Sequence, residues 1–415
     1  MLSKLFKSPV RVEGLRGSPA GPLLEGFAHK LCQAGYAEAT AKRHIGTAEH
    51  FIYWTDRKGI EATSLNGSVV EMFEHHLHRC RCPGYSRAYA VNRQNGARLF
   101  LRYLFDSGAA TESATAQTAT EPVLLTAFHQ WMRHQRGTST STLANYNVSI
   151  RGLLKSVGDD PRRFDAQNLR KFVLERSRQS GWGAAKLCVA GVRMFLRFLA
   201  AEGQCPTGLD ACIPALANWR LSSLPRYLGS GDVERVIGAC DSATPLGCRD
   251  RAILLLLARM GFRAGDIVQL CLDDIDWEQA WIYVSGKGRR QTRLPLTQEV
   301  GDAIAAYLQH GRPLCVTDKL FIRSRAPFRA FTTYAAICAI VKGAMRRARV
   351  TPATRGAAHI LRHSAATCML RHGASLQEIA VILRHRSIQT TEIYAKVDVA
   401  TLGAIAQPWP GGKQC

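Results

Sequence analysis

The sequence predicts a mainly α-helical chain with a small β-sheet: two helical units followed by an α+β module. Three observations carry this. Apolar residues recur at three-to-four spacing through most of residues 21–108 and 122–212. Two short β-branched and aromatic runs, Trp281-Ile-Tyr-Val284 and Thr292-Arg-Leu-Pro-Leu296, flank a glycine-rich turn, Ser285-Gly-Lys287-Gly-Arg-Arg290. A length of 415 residues also calls for two or three separate cores.

In chain order, residues 1–20 hold Gly14, Gly17 and Pro19 without a period and read as a flexible arm. Leu23, Leu24, Phe27 and Leu31 open the first helix, which Gly35 closes. Helices from Ala39, over Val69–His78 and over Tyr89–Asp106 complete a unit at 21–108. Residues 109–121 are small, polar and aperiodic, hence a linker. The unit at 122–212 repeats the plan with helices from Val123, over Ser141–Leu154, over Leu169–Arg176 and ending at Leu199. Arg193-Met-Phe-Leu-Arg-Phe-Leu199 echoes Arg98-Leu-Phe-Leu-Arg-Tyr-Leu104, which points to an internal duplication. Pro214 and Pro225 mark a second linker at 213–227. The module at 228–405 reads as helices over 230–239, 249–260, 298–309, 332–347, 363–372 and 375–383, with one starting at Phe262 and the hairpin between them. A short amphipathic helix over 396–405 and a disordered tail at 406–415 end the chain.

Charge narrows the partners. Lys plus Arg number 55 against 32 Asp plus Glu, a formal +23 that a solvated surface alone does not require. Double-stranded DNA is the first candidate polyanion. A membrane is excluded as a partner by the lack of any apolar run of spanning length. The opening Met1–Pro9 has no secretory apolar core, so a cytoplasmic location is expected. The 13 cysteines follow no disulfide or zinc framework. The dense patch His75-His-Leu-His78-Arg-Cys80-Arg-Cys82 has only one residue between its cysteines and no second pair at finger distance; it reads as a polar helix end rather than a metal site.

Reactive groups gather late in the chain, in His359-Ile-Leu-Arg362-His363 and Leu383-Arg-His385-Arg-Ser-Ile-Gln-Thr-Thr-Glu-Ile-Tyr394. Imidazoles, guanidiniums and a phenol, without paired carboxylates, suit phosphoryl transfer: the guanidinium fork matches phosphate oxygens and the phenol is a candidate nucleophile. Together with Phe262-Arg263 and Gly286-Lys287-Gly288, in this order, these pieces resemble the tyrosine recombinases, the phage integrase family, over about residues 228–405.

That resemblance implies roles. Arg263 and Arg362 would clamp the scissile phosphate, His359 would bond it and help handle the phenol proton, and His385 would contact the same group. Lys287 would protonate the leaving 5′ oxygen, Asp266 would buttress the site, and Tyr394 would attack to give a 3′-phosphotyrosine. Arg289, Arg290, Arg384, Arg386, Lys42 and Arg43 are candidate DNA contacts. The two N-terminal units would be DNA-binding, and the terminal helix would dock on a neighbour in a homotetramer on paired sites. Accessory recombinases or DNA-bending proteins are further candidate partners. Because the covalent link conserves bond energy, no cofactor or metal is expected. Integration, excision or transposition of a mobile element is the implied role. A type IB topoisomerase and a catalytically silent DNA-binding descendant remain as alternatives. One departure stands out: Arg384 occupies a position where the family usually has glycine, and a left-handed backbone there would cost about 1 kcal/mol.

Overall fold

The computed structural model describes residues 1–18, 20–61, 64–85, 90–110, 122–216, 224–285, 291–351, 356–397 and 402–403. Residues 286–290 of the expected turn, 111–121 of the first linker, the 406–415 tail and most of the expected terminal helix lie outside them. Two units are distinguished, Met1–Glu112 with Leu221–Cys415, and Ser113–Arg220.

The first unit begins with a correction. The expected flexible arm is helical: α1 spans Leu2–Leu5 and α2 spans Pro9–Arg16. Ser8 caps α2 by accepting from the Arg11 N–H, and Pro9 occupies the helix start, where no amide is needed. Leu2, Leu5, Val12 and Leu15 then bury in the core of the helices that follow. Helices this short gain their stability from tertiary burial, so their own sequence hardly marks them.

That core belongs to α3 (Gly21–Gln33), α4 (Glu38–Arg57), α5 (Gly67–His78) and α6 (Ala90–Asp106). Gly35 ends the first of these with φ +79°, and an added β-carbon would lie 2.2 Å from the Phe328 ring. The Phe328 N–H donates to the Ala34 carbonyl at 3.1 Å, so the turn is both a helix stop and a contact with the C-terminal module.

The second unit holds α7 (Val123–Arg136), α8 (Thr140–Val157), α9 (Ala166–Gln179) and α10 (Trp182–Ala201) around its own core. The echoed segments pack alike. Phe27 of α3 meets Phe100 and Tyr103 with ring centroids 5.2 and 5.6 Å away. Phe128 of α7 meets the corresponding Phe195 and Phe198 at 5.5 and 5.7 Å.

In the C-terminal module, α11 (Ser230–Gly238) precedes α12 (Pro245–Ala258), whose Ile253–Leu257 stretch is fully buried. α12 begins before the expected Arg249 because Thr244 caps it and Pro245 starts it. Arg249 and Asp250 are therefore interior, and they neutralise each other at 2.7 Å. α13 (Ala264–Gln269) leads to an antiparallel sheet of β1 (Ile275–Asp276), β2 (Trp281–Ser285) and β3 (Gln291–Pro295), in that order. Ile282 faces Ile275 on one side and Leu294 on the other, so alternate residues bury one face. The two-residue β1 gives too short a pattern to be expected from sequence. α14 (Gln298–Ala306), α15 (Tyr334–Arg347), α16 (Ala357–Arg371) and α17 (Leu376–Ile382) complete the module, followed by 3-10 turns over Ile388–Thr390 and Glu392–Val397. α16 starts six residues earlier than the sequence suggested (357 against 363), which brings His359, Arg362 and His363 onto one helix.

Phe195 is fully buried and edge-on to Phe128 at an interplanar angle of 90°. Phe195→Ala should cost about 3–5 kcal/mol in the second unit. Hydrogen exchange on the full chain would then show lost amide protection across α7–α10 but not in the C-terminal module.

Candidate active site

Four corners of the C-terminal module converge. α16 supplies His359, Arg362 and His363, whose i, i+3 and i+4 spacing keeps them on one face. The corner between α12 and α13 supplies Arg263, the end of α17 supplies Arg384 and His385, and the last 3-10 turn supplies Tyr394. Arg362 is the hub. It is only 4% exposed, and its guanidinium donates to the backbone carbonyls of Gly261 and Leu383. Gly261 allows this approach: its φ is +61°, and a β-carbon there would lie 2.4 Å from the Leu383 side chain. Arg263 donates to the Arg384 carbonyl at 2.8 Å and lies 3.8 Å from the Asp266 carboxylate.

Arg384, expected at the DNA, turns inward. Its guanidinium donates to Asp266 at 2.8 Å and covers the Phe262 ring at 4.5 Å. The residue does take the left-handed backbone anticipated for this position, with φ +54°. An arginine is held here because the buried carboxylate and the aromatic face together receive it. Its Nε and Nη1 are buried without a hydrogen-bond partner among the described residues. Asp266 thus serves two arginines as the expected buttress would.

Three guanidiniums thus gather near one carboxylate, which pairs with two of them. Burial, then the charges of Arg263 and Arg384, push the Arg362 pKa down to about 9. Burial also lowers that of Arg384 to about 10, against the pull of Asp266. Both remain cationic near neutral pH. The cluster is a donor set for an anion rather than for a metal ion.

Tyr394 is 1% exposed among Ala366, Ile379 and Leu383, and burial pushes its phenol up to about 12. Its hydroxyl lies 2.8 Å from Nδ1 of His363. Burial first, then the charges of His359 and Arg362, hold His363 down to about 4. A neutral imidazole therefore faces a protonated phenol, and in the tautomer protonated at Nε2 the phenol donates to it. The expectation had His359 handling that proton; His359 sits one helical turn away, with its ring centroid 6.4 Å from that of His363. Desolvation, then Arg362 and Arg263, also keep His359 below the ordinary value. The repeated His at i+4 in His359-Ile-Leu-Arg362-His363 was the available signal for His363. His385 hydrogen-bonds Thr391 through Nδ1 at 2.7 Å, and burial, then Arg362 and other cations, hold it at about 4.

Lys287, Arg289 and Arg290 fall outside the described residues. Arg386 is exposed on the turn after His385. Lys42 and Arg43 are on α4, Lys42 paired with Glu38 and Arg43 exposed beside Thr40.

Comparison with known proteins follows this geometry. Residues 226–401 match the phage integrase family. A protein of Sinorhizobium fredii (strain NBRC 101917 / NGR234) named as an integrase/recombinase, y4rA, is 35% identical over 405 residues, covering 95% of this chain and 97% of that one. The XerH site-specific recombinase in a post-cleavage complex with its palindromic difH substrate aligns with a TM-score of 0.54 at 18% identity, over 68% of this chain and 83% of that one. A lambda integrase tetramer bound to a Holliday junction aligns at 0.51 and 17% identity, over 75% and 88%. At these identities the two structures speak for the fold alone.

Two measurements check the electrostatics. Arg384→Gly and Arg384→Ala both remove the Asp266 pair, but only glycine relieves the positive φ. The glycine variant should be the more stable of the two by about 1 kcal/mol in urea titration; equal stability would sink the strain argument. For pH, His363 and His385 titrate near 4 in the fold against an ordinary value of 6.5. Between about 4 and 6.5 the unfolded chain therefore binds more protons, so stability falls as pH drops through that window. The melting temperature of the full chain should decline from pH 7 to pH 5, and less steeply in His385→Asn.

Proposed function

The chain belongs to the phage integrase family and is a tyrosine recombinase, which cleaves and rejoins DNA at specific sites, and on that premise we propose that Tyr394 is its nucleophile. The observation that carries this is the Tyr394 phenol against His363 at 2.8 Å, beside Arg362 and two arginines that pair with one carboxylate. The scissile phosphate of duplex DNA is the missing anion. Arg263 and Arg362 receive its non-bridging oxygens, with His359 and His385 at its edge. Charge grows on those oxygens as the phosphorus becomes five-coordinate, so fixed donors stabilise the transition state more than the ground state.

The phenol oxygen attacks phosphorus as its proton passes to the neutral His363. The bond to the 5′ oxygen breaks, and Lys287, assigned on sequence alone, supplies the proton that oxygen needs. A 3′-phosphotyrosine and a free 5′ hydroxyl result. The 5′ hydroxyl of a partner strand then attacks the same phosphorus, and the phenol departs with its proton restored. One phosphodiester is exchanged for another at each step, so the scheme calls for neither ATP nor a metal ion.

Arg386, Arg43 and Lys42, with Arg289 and Arg290, are proposed as contacts to the DNA backbone; Arg384 is withdrawn from that group because it is committed to Asp266. The lambda integrase comparison, a tetramer on a Holliday junction, supports a homotetramer on paired sites. No helix among the described residues is long and apolar enough to cross a membrane; integration, excision or transposition of a mobile element, in the cytoplasm, is the role proposed.

The test uses the purified full chain and a plasmid carrying the DNA that flanks its own gene. Stopped with detergent, wild type should leave a covalent protein–DNA adduct. Tyr394→Phe should leave none while retaining DNA binding in a gel-shift assay. An adduct that persists in Tyr394→Phe would exclude Tyr394 as the nucleophile.

A further inference from the structure

Away from the catalytic cluster, the histidine–cysteine patch that the sequence had assigned to a polar helix end supplies three members of a four-residue group. His50 on α4, His76 on α5, and Cys80 and Cys82 on the turn leaving α5 bring one ligating atom each within 4.8 Å of all the others. We propose that these four side chains hold a structural zinc ion.

Two of the edges match those of a tetrahedral site. His50 Nε2 lies 3.5 Å from Cys80 Sγ, and His76 Nε2 lies 3.4 Å from Cys82 Sγ. With zinc–sulfur and zinc–nitrogen bonds of usual length, a tetrahedral sulfur–nitrogen edge is about 3.6 Å. Two thiols and two imidazoles form a set that favours zinc over magnesium or calcium. Four protein donors complete its coordination and leave no open position, which marks a structural site rather than a catalytic one.

The surroundings support the donors. The Cys82 N–H donates to Cys80 Sγ at 3.4 Å, a bond that favours the thiolate. The Tyr85 ring stacks on His50 at 4.1 Å and 11°, and Trp54 stacks on His76 at 5.6 Å and 27°. Of the three histidines late in α5, His75 and His78 point to solvent and only His76 turns inward. His50 is fully buried and Cys80 is 2% exposed, so both reach the core of the helical unit. The one-residue spacer that argued against a site is accommodated because each cysteine meets a histidine from a different helix. Zinc would then pin α4 to α5 and fix the turn that leads toward α6. Without zinc, the same contacts would be two ordinary thiol–imidazole hydrogen bonds.

The experiment uses full-length protein without a histidine tag, purified under reducing conditions and analysed for metals. About one zinc per chain is expected, falling to near none in Cys80→Ser/Cys82→Ser and unchanged in Cys368→Ser, whose thiol is exposed in another module. To separate lost ligands from lost fold, wild-type protein is stripped and reloaded with cobalt. Thiolate-to-cobalt charge-transfer bands, with zinc protecting the Cys80–Cys82 peptide from alkylation, would support the site. Wild-type protein that takes up no zinc, or a double variant that takes up as much, would overturn it.

Discussion

Arg263, Arg362 and Arg384 gather around the single carboxylate of Asp266, which pairs with Arg263 and Arg384. Two unit charges 4 Å apart interact by about 4 kcal/mol at an effective dielectric of 20, so the cluster needs more than Asp266 to hold it. Backbone carbonyls supply the rest: those of Gly261 and Leu383 accept from Arg362, and that of Arg384 accepts from Arg263. These three carbonyls come from two chain corners, one after α12 and one after α17. Both corners use a left-handed residue, Gly261 and Arg384. The strain at Arg384 is smaller than the electrostatic term it helps to balance, which is why a non-glycine residue is tolerated there. The pocket is thereby left with an excess of positive charge.

Much of this could be read from sequence because it rests on local signals. Gly35, Gly108 and Gly261 stop helices where their spacing said they would, each with positive φ. The hairpin strands were visible in their β-branched runs. What escaped was set by tertiary contacts. α1 and α2 carry only a few apolar residues and exist because a neighbouring core receives them. Asp250 sits inside an otherwise apolar helix, and only its pairing with Arg249 accounts for its burial. Arg384 looked like a DNA contact because a surface arginine usually is one; only the fold brings Asp266, 118 residues earlier, beneath it. His50 is separated from Cys80 by 30 residues and a whole helix, beyond the reach of a spacing rule.

The two helical units carry the same aromatic contact at matched positions. In each, a phenylalanine of the first helix meets two rings one turn apart on the last. That shared packing supports an internal duplication more firmly than the echoed sequence does, because the first-helix partners lie outside the echo. The histidine–cysteine group belongs to the first unit alone, where it adds a polar tie to an apolar core.

On the proposal that Tyr394 is the nucleophile, its burial bears on the fate of the intermediate as well as on its formation. A phosphotyrosine in such a pocket has protein on nearly every side, leaving the strand side as the open approach. Two nucleophiles compete for it there: water, and a strand hydroxyl held in place by its own duplex. Positioned groups reach effective concentrations of about 10⁵ M or more, far above that of water. Shielding and positioning therefore act in the same direction. The bond energy returns to DNA rather than being lost to hydrolysis, and broken ends are not released.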